Sequence, residues 1–165
     1  MCERGDGEGA GERGGVSVTP SRSRYVHASG GHLKITVGFP PNIEEIEKLV
    51  PGVKEMSGVL FAWADTVFNP SGIEIPEWLV EHEQVHLNRQ SGDPATWWHR
   101  YLTDGAFRLA EELPAHRVEW KAFKRRVKNR EVRACYLASI SARLAGPLYG
   151  RLLTTAAAKA KITAA

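Results

Sequence analysis

The chain has 165 residues, a length that suits one domain with its own core and is short for two. Hydrophobic residues make up 42% and charged residues 25%, a balance expected of a soluble globular protein rather than a membrane-embedded or fully disordered one. The net charge of +3 neither demands nor excludes an anionic partner. No apolar run approaches membrane-spanning length, since the most apolar stretch, near the C-terminus, is broken by Arg143, Pro147 and Arg151. The opening residues MCERGDGEGAGERGG lack the basic start and apolar core of an export signal, so a cytoplasmic setting is expected. Cys2 lies in this opening and Cys135 far along the chain, a distribution that does not suggest a structural disulfide.

Residues 1–23 are rich in Gly, Ser, Glu and Arg and nearly free of large apolar side chains, so they are expected to form a disordered tail. The domain is expected over residues 24–165. Leu33 to Phe39 alternates apolar and polar residues and predicts a strand closed by Pro40-Pro41. Asn42 is placed to cap a short helix with Ile43, Ile46 and Val50 on one face, which Pro51-Gly52 stops. Val59 to Phe68 is mostly apolar and predicts a second, buried strand. Asn69-Pro70-Ser71-Gly72 is a turn.

Pro76 marks the start of a helix that runs through His82-Glu83-Gln84-Val85-His86 and ends before Ser91-Gly92. Asp93-Pro94 starts the next segment, where Trp97, Trp98, Tyr101 and Leu102 follow a helical spacing that reads first as core. Phe107 to about Lys128 predicts a longer helix, in which Pro114 should mark a kink or the first turn. Glu131 to Ser141 continues helical, Gly146-Pro147 interrupts it, and an Ala-rich helix closes the chain. A small β region followed by helices is an α+β pattern.

The informative residues are His82-Glu83-Gln84-Val85-His86. Positions four apart on an α-helix stand about 40° from each other around the axis, so both imidazoles project from one face. That is the spacing two ligands need to reach one zinc ion. Glu83, on the flank of that face, is placed to hydrogen-bond a water without occupying a coordination position. A catalytic zinc site wants three protein ligands, so a third must come from elsewhere. The continuation with Gly and a third His that metzincins show is absent, because Arg89 and Gly92 stand at those positions. The leading candidate is Glu112 of Glu112-Leu113-Pro114-Ala115-His116, where Ala115 on the same face permits close approach of two helices. His116 is the next choice for third ligand, or else supports a ligand or a substrate oxygen. Glu111 lies off this face and is expected to be solvated, while Asp93 and Asp104 are weaker options, each reading as a cap or turn residue.

The segments HEQVHLNRQ, WWHRYL, FRLAEELPAH and GPLYG make the stretch from Leu33 to the C-terminus resemble the small gluzincin-type metallopeptidase domains (minigluzincins) of phages and prophages. The resemblance implies a zincin-like fold, with a small N-terminal sheet packed on the HExxH helix and a following ligand helix, and a helical C-terminus. It implies zinc ligands at His82, His86 and Glu112, with Glu83 as general base. It also implies that the strand around Val59 to Thr66 is the sheet edge on which an extended peptide lies. A phage-encoded protein of this kind would act in the host cytoplasm or travel with the virion. His116 stands where related gluzincins often carry Asp, Asn or Tyr, and Pro114 is unusual within the ligand helix.

The expected chemistry is zinc-dependent hydrolysis of an amide bond in a peptide or protein, with His116, Tyr101 and Tyr149 as candidates for stabilising the oxyanion. Arg108 is expected either to pair with an acid near the site or to be solvated, and His27, His32 and His99 to be structural or exposed. The stretch Arg117 to Arg133 carries Arg117, Lys121, Lys124, Arg125, Arg126, Lys128, Arg130 and Arg133 against only Glu119 and Glu131. It motivates an alternative class, a nucleic-acid-binding or protein-interaction module in which zinc is structural and nothing turns over. A solvated helix face explains the same residues and is preferred. Oligomeric state is not readable from the sequence.

Overall fold

A computed structural model describes residues 24–28 and 31–164, with side chains from Leu33 onward. Residues 1–23, expected as the tail, lie outside the described residues, as do the side chains of His27 and His32. The class is α+β. Four strands form one sheet in the order β1-β2-β4-β3, with β1 Arg24–Ala28, β2 Gly31–Thr36, β3 Phe61–Trp63 and β4 Thr66–Phe68. β1 pairs antiparallel with β2, β2 parallel with β4, and β4 antiparallel with β3, which leaves β3 on an edge. Among the described residues six α-helices follow or interrupt these strands: α1 Ile43–Leu49, α2 Glu77–Arg89, α3 Pro94–Thr103, α4 Gly105–Arg126, α5 Arg130–Leu144 and α6 Thr155–Thr163.

The expected single strand over Val59 to Phe68 is in fact a hairpin, β3 and β4. Ala64 turns the chain with φ 56°, and its amide donates to Gln90 Oε1 at 2.8 Å. No Gly-based turn signal marks this reversal, because a side chain from the end of α2 holds it. The first strand stops at Thr36, short of Phe39, where Gly38 adopts φ 129°. Asn42 precedes α1, but its side chain makes no capping bond; its carbonyl instead accepts from Glu45 and Ile46. The turn at Asn69 to Gly72 forms as expected, with Gly72 N–H donating to Asn69 O at 3.0 Å.

Caps set the helices that matter for the site. Asp93 Oδ1 accepts from Thr96 N–H, and Asp104 Oδ1 accepts from Ala106 and Phe107 N–H at the head of α4. Pro114 falls in the middle of α4 rather than in its first turn. It removes the bond to the Ala110 carbonyl, and the exposure of Ala110 lets water take that place. Cys135, on the exposed side of α5, is disulfide-bonded, against the expectation from the sequence.

Three apolar clusters hold the fold. Val80 and Leu87 of α2 pack on the sheet with Leu33, Ala62 and Val67. Ile46 and Val53 pack with Phe61, Trp97 and Trp98, joining α1 and the 3-10 turn Val53–Glu55 to β3 and α3. Trp120 and Phe123 of α4 pack with Leu137, Ile140 and Leu144 of α5 and with Ala158 and Ile162 of α6. α2 therefore has one face on the sheet and another toward α4, and the polar face of α2 is buried between two apolar cores. No helix among the described residues is long and apolar enough to cross a membrane.

Candidate metal centre

His82, His86, Glu112 and His116 come together where α2 faces α4, all of them buried. The two α2 imidazoles present Nε2 to each other at 3.1 Å. Glu112 reaches across from α4, with Oε2 3.7 Å from His82 Nε2 and Oε1 3.4 Å from His86 Nε2. Tetrahedral ligands about 2.0–2.1 Å from one ion stand about 3.3 Å apart, so these three groups could hold one metal ion. The ligand atoms of this trio all lie within 4.8 Å of one another, as do those of a second trio, His82, His116 and Glu119. Ala115, with no exposed surface, lies on the α4 face between Glu112 and Glu119 and gives the helices room to approach.

The groups behind these residues are specific. Tyr101 Oη donates to Glu112 Oε1 at 2.5 Å, and the Tyr149 phenol lies beside the same carboxylate. Glu119, fully buried, accepts at Oε2 from His82 Nδ1 at 2.8 Å and from His116 Nδ1 at 2.7 Å. Its other oxygen accepts from Tyr136 Oη at 2.5 Å and from Arg143 at 3.4 Å. Tyr136 is held for this by stacking on Phe123, with ring centroids 3.8 Å apart. Such carboxylate–imidazole pairs orient a ligand ring and raise its basicity. His86 has no such support, since its buried Nδ1 has no hydrogen-bond partner in the structure.

The electrostatics follow from burial and this pairing. Burial opposes charge on His82, yet the Glu119 bond and the nearby Glu83 and Glu112 carboxylates outweigh it and raise its pKa to about 9. Burial pushes His86 down to about 4 despite Glu112. Burial would raise Glu112, but His86, His82 and His116 hold it down to about 2. Glu119 is likewise held well below the usual carboxylate range, against burial, by bonds from His116 and His82. Two ionised carboxylates thus face three imidazoles, an anionic donor set that suits a dication. Glu83 behaves differently: burial pushes its carboxyl up to about 7. That is near the value a general base needs at neutral pH.

These groups open into a cavity of about 270 Å³. Away from the imidazoles and carboxylates its walls are mainly apolar, with Ile46, Val53, Phe61, Leu79 and Leu148 among them. Trp97 and Trp98 are buried in the core, as their spacing suggested, and also line the cleft. Trp98 Nε1 donates to the Ala62 carbonyl at 2.9 Å, and Trp97 Nε1 to Glu111 Oε2 at 3.0 Å.

Several residues fall elsewhere than the sequence suggested. Glu111 is buried, not solvated, because Arg89 grips both its oxygens, at 2.6 and 2.8 Å, and Trp97 shares one. Arg108 is also buried and pairs with no acid among the described residues; it donates to the carbonyls of Tyr101, Leu102 and Leu148, tying the Tyr149 segment to α4. Asp93 and Asp104 are caps and His99 is exposed, as expected. Much of the basic stretch is spent internally. Arg125 and Arg126 pair with Glu81 and Glu77 of α2, while Arg117 and Arg133 donate to backbone carbonyls. Glu119, the group shared by two imidazoles, was missed. Its signal was present, three residues after His116 and seven after Glu112, on one helix face.

Comparison with protein-family models, curated proteins and solved structures finds no match for this chain.

Proposed function

We propose that this protein is a zincin-like, zinc-dependent peptidase that hydrolyses amide bonds of a peptide or protein. The observation that carries this reading is the convergence of His82 Nε2, His86 Nε2 and the Glu112 carboxylate within 3.1–3.7 Å, beside a buried Glu83 in an apolar cleft. A zinc ion held by these three residues would polarise a carbonyl and acidify water. Glu83 takes a proton from water and returns it to the departing amine, a task matched to its raised pKa. Tyr101 fixes the Glu112 carboxylate through a hydrogen bond and Tyr149 lies beside it, which favours positioning rather than contact with an oxyanion.

The edge strand β3 supports docking of an extended chain, and Val59 to Ala62 border the cleft. The Ala62 carbonyl is already taken by Gln90 and Trp98, and the Ala64 amide by Gln90. Residues alternate in direction along a strand, so a peptide added to this edge pairs at Leu60 rather than at Ala62.

Elemental analysis of the purified protein tests the reading. About one zinc per chain is expected, lost in a His82→Ala/His86→Ala variant. Glu83→Gln should keep zinc and lose peptide hydrolysis. Absence of zinc from the wild type after reconstitution, or full activity in Glu83→Gln, would overturn the proposal.

A further inference from the structure

We propose that Arg143 anchors a carboxylate of the substrate, either the free C-terminus of a peptide or an acidic side chain. This rests on the peptidase reading above and names the class of peptide that the cleft selects. Arg143 lies in the last turn of α5 and lines the same cavity as His82, His86 and Glu112. Among the described residues it is the only lysine or arginine that does so. Its side chain is 55% exposed, so the guanidinium meets solvent while bordering the cleft.

Arg143 differs from the buried or tightly paired arginines in how little of its donor set is used. Arg108 spends its guanidinium on three backbone carbonyls, and Arg89 grips Glu111 with two bonds of 2.6 and 2.8 Å. Arg143 makes one side-chain hydrogen bond among the described residues, from a single nitrogen to Glu119 Oε1 at 3.4 Å. A guanidinium carries five N–H donors in a planar fork that meets a carboxylate in two parallel bonds. Glu119 already accepts from Tyr136, His82 and His116, so most of the Arg143 fork is left for another acceptor. Glu119 is also the one group between Arg143 and the His82 ring, which places the guanidinium beside a peptide that crosses the metal centre. Glu83, Glu112 and Glu119 line the same cavity and repel a peptide carboxylate that is not met by a cation. The rest of the lining suits apolar side chains, since Leu49, Met56 and Leu148 are exposed at the cleft.

Calorimetric titration of the full-length, zinc-loaded Glu83→Gln protein reads binding without turnover. The probes are short acetylated peptides of Leu, Phe and Ala, as free acids and as C-terminal amides, and amidated versions carrying one Glu or one Gln. A carboxylate form is expected to bind about tenfold tighter than its neutral match. Preference for the free acid assigns the C-terminus to Arg143, and preference for Glu over Gln assigns a side chain. Arg143→Met should abolish that ratio and Arg143→Lys should keep part of it, because a point charge replaces the fork. Equal binding of charged and neutral peptides, no binding of either, or a preference that survives Arg143→Met because the carboxylate sits on the metal would each overturn the anchor and leave the zinc reading intact. A protein that takes up no zinc overturns both.

Discussion

Glu119 Oε2 receives two imidazole N–H groups while Oε1 receives a tyrosine and an arginine, so one side chain sets the orientation of two rings from opposite helices. Removing it leaves His82 and His116 free to rotate and deprives them of their buried acceptor. Glu119→Ala is therefore expected to weaken zinc binding by about 10–100-fold, read by competition with a chromophoric chelator. Denaturant unfolding of the same sample checks that the fold persists; unchanged affinity in a folded variant contradicts the role given to Glu119. The sequence pointed to His82, Glu83, His86, Glu112 and His116 because helical spacing alone puts them on defined faces. Glu119 was legible by the same geometry one turn further on, but it reads as an ordinary charge until His82 of the other helix is seen to meet it. Glu111 misled for the complementary reason. Lying off the ligand face implies solvent only if no neighbour covers it, and Trp97 and Arg89 do.

At the scale of elements, the site depends on α4 starting and staying in register against α2. Asp104 caps α4 from an exposed position two turns before Glu112, accepting from two backbone amides. Asp104→Ala should cost about 1 kcal/mol, seen as a lower denaturation midpoint, with zinc content per chain unchanged. Loss of zinc would mean that the cap positions Glu112 rather than merely stabilising the helix end. The two charged faces of these helices also explain the basic stretch. Arg125 and Arg126 align with Glu81 and Glu77 across α2 and α4, a pairing of residues over forty positions apart that no local pattern shows. These pairs are exposed and weigh little in stability, but they lower the charge available to an external anion. The hairpin β3–β4 was hidden for a related reason. Its turn has no Gly, and Ala64 takes a positive φ that Ala disfavours, so Gln90 supplies the missing constraint.

Across the whole molecule, two apolar cores enclose a layer of buried ionisable groups: His82, Glu83 and His86 from one helix, Glu112, His116 and Glu119 from another. Taking such groups out of water is costly unless they are paired or coordinated. Metal binding at this layer is thus coupled to folding. Zinc at about one hundred times its dissociation constant should add about 2.7 kcal/mol to stability. A chelator should accordingly lower the melting temperature of the wild type and leave that of a His82→Ala/His86→Ala variant unmoved. Equal shifts in both proteins would show that the chelator acts elsewhere.

The sequence by itself determined what depends on a few neighbouring residues. Helical spacing put the two imidazoles of α2 on one face, Asp93 and Asp104 marked the heads of α3 and α4, and Gly146-Pro147 ended α5. Local sterics and backbone hydrogen bonding suffice for these. Tertiary structure alone decided that Glu112 meets His82 and His86, that Glu119 joins His82 to His116, and that Arg108 is a buried strut. Each of these rests on which apolar faces pack together, because packing brings distant side chains within hydrogen-bond reach and excludes the water that would otherwise take their place.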